Sequence, residues 1–371
     1  MPHRAALAVV GIVMSVGLAQ AQAPRKLDRI RPSRDGSHFV REGTETRFVA
    51  WGFNHDHDDA GRLLEDYWEQ EWDAVVGDFR EMKDLGANVV RVHLQLGRFL
   101  KDADRPDEAN LGRLTRLVRL AEELGLYLDV TGLGCYHKQD VPRWYDALGE
   151  SARWDAQARF WKAVAGACRG SPAIFCYDLM NEPIVSGGDD PKDWLPGKPL
   201  AGKHFVQRIA IDPKGRDDKA IAQAWVARLA AAIRSVDDRA MITVGVIPWA
   251  QVFPGAKPLF YAPEVCGPLD FASIHLYPRK GQLEADLAAL RSYEAGKPLV
   301  IEEIFPLGAG PEETEAFIER SRPIADGYIG FYWGKTAEES EKKGDLAGAL
   351  VATWLRRSRA LAPKFTGEGD R

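Results

Sequence analysis

The sequence is poor in cysteine: Cys135, Cys168, Cys176 and Cys266 are the only four in 371 residues, with no CxxC pair among them. That spacing excludes a zinc framework and leaves them as small buried hydrophobes, with one disulfide permitted should the chain be exported. Charge of one sign is lacking too, since 49 Lys and Arg stand against 54 Asp and Glu for a net charge of −5. Such a balance offers no electrostatic footprint for nucleic acid or an anionic membrane, and a neutral ligand suits it better. The N-terminal uncharged run, Ala5 to Leu18, falls short of the ~20 residues that span a bilayer. It follows Arg4 and precedes small residues at Ala19, Ala21 and Ala23, so residues 1–23 read as a secretory signal peptide cleaved after Ala21 or Ala23. The expected destination is outside the cell or in a periplasm. Repeats, low-complexity tracts and a glycine-rich dinucleotide loop after the first strand are all missing, which removes solenoid, disordered and dinucleotide-binding readings.

What is present is core material, with 45% hydrophobic residues and 11 Trp. Between Ile30 and Val49 short apolar runs are broken by the turn dipeptides Asp35-Gly36 and Glu42-Gly43, which predicts a small β-hairpin plugging one end of the larger unit built by the rest of the chain. Eight strand-like runs come next: Phe48–Asn54, Val89–Leu94, Tyr127–Thr131, Ile174–Asn181, Met241–Gly245, Phe271–Tyr277, Leu299–Ile304 and Tyr328–Trp333. Helix-period stretches separate them at Tyr67–Leu85, Leu111–Leu124, Ala152–Cys168, Lys219–Val236, Gln282–Ala295 and Glu312–Ala325, and a last one, Leu346–Arg357, closes the series. Only the fifth connection, around Pro258–Val265, is short and poorly patterned. Near-continuous apolar strands alternating with helices predict one closed (β/α)8 TIM barrel spanning residues 24–371. A long Gly, Pro and Asp-rich connection after the fourth strand, Ile184–Arg216, carries Trp194 and Phe205 and must lie on the face where barrel active sites are built.

Polar residues gather at the strand ends that converge on that face. The first strand ends Gly52-Phe53-Asn54, the second carries Arg91 in Asn88-Val89-Val90-Arg91-Val92-His93, and the fourth ends Tyr177-Asp178-Leu179-Met180-Asn181-Glu182-Pro183. The sixth holds His275 and Tyr277, the seventh Glu302 and Glu303, and the eighth ends Phe331-Tyr332-Trp333. Acids inside apolar strands are costly unless paired or used. Two strand-end carboxylates in one crevice are the pair that glycoside hydrolysis needs, one to protonate the leaving oxygen and one to attack the anomeric carbon or activate water.

From Phe48 to Trp333 the chain resembles the clan A retaining glycoside hydrolases, most closely glycoside hydrolase family 5, which contains endo-β-1,4-glucanases and β-mannanases. Leu179-Met180-Asn181-Glu182-Pro183 carries the likeness best. It implies Glu182 as acid/base and Asn181 as the residue bonding the sugar 2-hydroxyl. The run Pro298-Leu299-Val300-Ile301-Glu302-Glu303 resembles the nucleophile strand, whose register selects Glu303. Glu302 stays as the alternative, because successive strand residues point oppositely and only one should face the interior. The resemblance further implies that Arg91 pairs with the nucleophile, that His275 and Tyr277 line the site and reach that carboxylate, and that Trp333 forms the floor under the sugar.

Some residues depart from the pattern. Thr131 stands where many members have His after the third strand, leaving His137 to reach back from its loop, and Ile304-Phe305 replaces the usual aromatic-Gly after the nucleophile. The Trp51–His57 stretch is rich in His and Asp, though imidazoles and carboxylates near a sugar more often bind hydroxyls than a metal. The expectation is a β-glycosidase acting on a β-linked glucan or mannan by double displacement, with no cofactor, metal, membrane span or protein partner. Its rivals are a transglycosylase, a glycolipid hydrolase, a non-catalytic carbohydrate-binding barrel and a metal-dependent barrel enzyme.

Overall fold

The computed structural model describes residues 27–185 and 193–367; the signal peptide expected at 1–23 lies outside them. Eight parallel barrel strands follow the expected order. Numbered along the chain they are Ala50–His55, Val89–Gln95, Tyr127–Gly134, Ile174–Asp178, Met241–Val246, Ala272–His275, Leu299–Glu303 and Gly327–Phe331. Strand five is interrupted at Val244: Met241–Thr243 pairs with strand four and Gly245–Val246 with strand six, so the two halves of one strand close the ring. Nearly every strand residue is buried on both faces, which is why the strands read as continuous apolar runs.

Helices wrap the ring wherever the sequence has a 3.6-residue apolar period. Glu108–Leu124 starts at Asp107, whose carboxylate accepts from the backbone N–H groups of Ala109 and Asn110, and stops at Gly125 in the left-handed region at φ 67°. The last helix, Leu346–Thr366, runs past Arg357 because Leu361, Ala362 and Phe365 are buried, Phe365 stacking on Trp51 at 4.7 Å. Around Pro258–Val265 the described chain forms only turns.

The N-terminal segment is a three-stranded antiparallel sheet and not the two-stranded hairpin expected. Both turn dipeptides are used as turns, with Gly36 at φ 74° and Gly43 at φ 95°, and Arg47–Phe48 adds the third strand before the barrel begins at Ala50. The sheet does plug the barrel: Phe39 meets Phe175 and Phe271 edge-on at 5.2 Å, and Phe48 meets Tyr127 at 5.2 Å. With that end sealed by aromatic packing, the open end is the one where the strands terminate in polar residues. All four cysteines are buried and free.

Candidate active site

Arg91 lies at the centre of the open end, fully buried on strand two. Its Nη1 donates to Asn54 Oδ1 at 2.9 Å and Glu303 Oε1 at 2.8 Å; its Nη2 donates to Asp178 Oδ2 at 2.8 Å and Asn181 Oδ1 at 3.0 Å. One planar guanidinium thereby fixes side chains from strands one, four and seven, a use for which its rigid fork suits Arg better than Lys. Thr131 contributes a further donor to Asp178 at 2.9 Å, so the third strand supports the base of the site.

Glu303 accepts from Arg91 on one oxygen and from the Tyr277 hydroxyl on the other, at 2.6 Å. Glu182 follows strand four at φ 46°, a left-handed conformation costly for a residue with a side chain, and its N–H is held by Gly245 O at 2.9 Å. An oxygen of Glu182 and one of Glu303 lie within 4.8 Å of each other. His275 stands between them: its Nδ1 hydrogen-bonds Glu182 Oε1 at 3.1 Å and is 3.5 Å from Glu303 Oε1. Of the sixth-strand pair, it is thus Tyr277 that bonds Glu303, while His275 bonds Glu182.

Glu302 corrects the alternation argument, because it also points inward. It is completely buried, 3.6 Å from Arg91 and 3.5 Å from His275 Nε2. Strands six and seven change register between Ile274 and His275, which pair with Ile301 and Glu303, so the skipped Glu302 turns into the barrel beneath its neighbour. Asp129 of strand three and Cys176 of strand four complete a layer there, each with an atom within 4.8 Å of the others and of Glu302. Room for these charges comes from Gly245, where a Cβ would stand 2.5 Å from Glu302 Oε2 and 2.6 Å from His275 Nε2.

Burial works against the charge on His275, but Glu303, Glu182 and Glu302 outweigh it and push the imidazole up to about 10. Burial, and then the charge of Glu302, drives Asp129 well above the usual carboxylate range. For Glu302 burial is overcome by Arg91 and His275, and its carboxyl is lowered. His93 is kept neutral by burial and by Arg91. Both nitrogens of His275 face carboxylates, Nδ1 towards Glu182 and Glu303 and Nε2 towards Glu302. Burial pushes the Cys176 thiol well above its usual range.

A cavity of about 390 Å³ opens above these groups, lined by Glu182, Glu303, Asn181, Tyr277, Trp333 and His57 among others. Trp333 is its aromatic wall, fixed by Nε1 donating to Asp56 Oδ1 at 3.1 Å and by the His57 ring stacked 5.9 Å away. His55, by contrast, turns outward to Tyr67 and Asp78, so the Trp51–His57 stretch does not converge on one point. His137 does not line this cavity. Asn181 gives Phe205 O one of its two amide hydrogens at 3.0 Å.

Several participants escaped the sequence reasoning. Asn54, His93 and Asp178 sit in the strand ends already singled out; His93 shares a strand face with Arg91 two residues earlier, a period-two signal that was available. Tyr136, bonded to His93, and Asp129 carried no such signal.

A family model described as "Cellulase (glycosyl hydrolase family 5)" matches residues 50–298, two thirds of the chain. The chain belongs to glycosyl hydrolase family 5. Mannan endo-1,4-beta-mannosidase 4 of Oryza sativa subsp. japonica is 29% identical over 126 residues, which are 30% of this chain and 21% of the rice protein. The match therefore spans about a fifth of that relative's length. Among solved structures, an exo-beta-1,4-mannosidase from Opitutaceae bacterium strain TAV5 superposes with a TM-score of 0.66 at 17% identity, over 91% of this chain and 62% of the other. A beta-1,4-mannanase from the sea hare Aplysia kurodai gives 0.60 at 15% identity, over 89% and 96%. At such identities the likeness shows the shared barrel fold.

Proposed function

We propose that this family 5 member hydrolyses a β-linked glycan of mannan or glucan type with net retention. The observation that carries this reading is the pair Glu182 and Glu303, with oxygens within 4.8 Å of each other across the cavity floor. Retaining enzymes separate their carboxyl groups by ~5–5.5 Å, whereas inverting enzymes need ~6.5–9.5 Å to admit a water. Glu303 Oε attacks the anomeric carbon as Glu182 gives its proton to the departing glycosidic oxygen, leaving a covalent glycosyl-Glu303 ester. Water then gives its proton to Glu182 and its oxygen to the anomeric carbon, releasing Glu303.

Arg91 and Tyr277 orient the nucleophile, Asn181 presents its side-chain amide to the sugar 2-hydroxyl, and Trp333 packs under the ring. No cofactor enters these steps. The likeness to mannan-directed proteins makes β-mannosides the first substrates to try. Residues 1–23 would deliver the barrel, residues 24–371, to the periplasm or the exterior, where such glycans are met. Among the described residues no helix is long and apolar enough to cross a membrane.

The test is hydrolysis of aryl β-mannosides and β-glucosides and of soluble mannan and glucan, with the anomeric configuration of the first product followed by NMR. Retained configuration, lost in Glu303→Ala, is the expected result; inversion would overturn the two-step scheme.

A further inference from the structure

Within the connection after strand four, residues 193–208 form a strap. Ile184 returns beside Arg208 in a short parallel pair, and Arg153 is held between the rings of Tyr145 and Trp194 at 3.8 and 4.3 Å, anchoring the outer part of the strap to the barrel. Its inner part crosses the end of strand three, where His204 N donates to Tyr136 O at 2.8 Å and Phe205 packs on Tyr136 at 4.9 Å. A tight hairpin, Leu200 to Lys203, with Ala201 at φ 48° and Gly202 at φ 81°, carries it farther. The hairpin ends against the loop after strand one: Lys203 Nζ lies 3.3 Å from where a Cβ on Gly61 would stand. The strap thus passes over strands two and three and walls off that side of the cavity.

Lys203 lines the cavity and is only 4% exposed, yet among the described residues its ammonium has no hydrogen-bond or ion-pair partner. The ammonium opens onto the cavity, where a ligand's oxygen atoms can accept from it.

We infer that the strap makes the enzyme exo-acting, with Lys203 binding hydroxyls of the terminal, non-reducing sugar. This rests on the glycosidase reading above. The wall closes on the glycone side, since Phe205 O holds Asn181, which serves the reacting sugar, and Lys203 meets the loop whose Asp56 and His57 fix Trp333 beneath that sugar. A chain can then enter only by its end. The cavity of about 390 Å³, near the lower limit of the ~300–1,000 Å³ typical of small-ligand sites, suits a short terminal segment and not a long internal one.

The experiment uses β-1,4-linked manno- and gluco-oligosaccharides labelled at the reducing end, with products resolved at early times, alongside aryl β-glycosides. The inference expects the label to appear first on the product one sugar shorter. It expects Lys203→Met to raise KM for oligosaccharides about tenfold, and replacement of Leu200–Lys203 by a Gly-Gly link to produce internal cleavage. Hydrolysis of aryl glycosides with mid-chain products from the wild type would overturn exo action alone. An unchanged KM in Lys203→Met would overturn the role of that lysine. Inactivity of the folded wild type on both substrate types would overturn the glycosidase reading and this inference with it.

Discussion

Glu302 and Glu303, adjacent in sequence, both approach Arg91, at 3.6 and 2.8 Å. Neighbouring strand residues ordinarily face opposite sides. Here the register change opposite His275 puts one carboxylate at the cavity floor and the other beneath it, where no substrate reaches. The two glutamates therefore have separable duties.

Replacing each in turn should show it. Glu303→Ala should lower kcat at least about a thousandfold while keeping the melting temperature near that of the wild type, as expected when a nucleophile is lost. Glu302→Ala leaves Arg91 and His275 short of a buried partner, so its first effect should be on stability, read as a lowered urea midpoint. Equal kcat losses with both folds intact would contradict the division.

Burial and the charge of Glu302 hold the Asp129 carboxyl well above its usual range in the folded protein, whereas it ionises above ~4 when unfolded. The native state binds the extra proton, so this group's contribution to stability falls as pH rises above ~4. Asp129→Asn, which needs no proton, should therefore raise the melting temperature at pH 7 by roughly 2 °C and make no such gain at pH 4. Differential scanning fluorimetry at the two pH values decides it.

His275 has the opposite charge logic. Its folded value of about 10 lies above the ~6.5 of a free imidazole, so its stabilising contribution is full below pH 6.5 and disappears as pH climbs through 10. His275→Asn should cost most stability at pH 6, and the gap to wild type should close by pH 10. Denaturant midpoints at pH 6, 8 and 10 would measure that convergence.

Gly245 admits no side chain. A methyl group there would press on Glu302, His275 and Arg91 at 2.5 to 3.1 Å. Gly245→Ala should destabilise the barrel by about 1–3 kcal/mol and lower kcat, because the groups it displaces are those that position Glu182 and Glu303. Gly112→Ala, on an exposed helix face with open space around it, is the control and should be neutral or mildly stabilising.

The barrel was legible because the strands are mostly apolar runs and the helices between them carry a 3.6-residue apolar period, one of them ending at Gly125 in the left-handed region. Asn181-Glu182 and Glu303 were legible because acids at apolar strand ends have few structural excuses. Lys203 was not, since its place depends on a hairpin crossing to a loop distant in sequence, which no local pattern encodes. The inward turn of Glu302 was hidden for a related reason: it follows from pairing with another strand, whereas alternation considers one strand at a time.

The four thiols, all unlinked and enclosed, bear on how the protein can be made. A barrel whose cohesion owes nothing to cross-links needs no oxidising compartment or isomerase to mature. Synthesised without residues 1–23, it should fold in the reducing cytoplasm of an expression host and withstand reductant during purification.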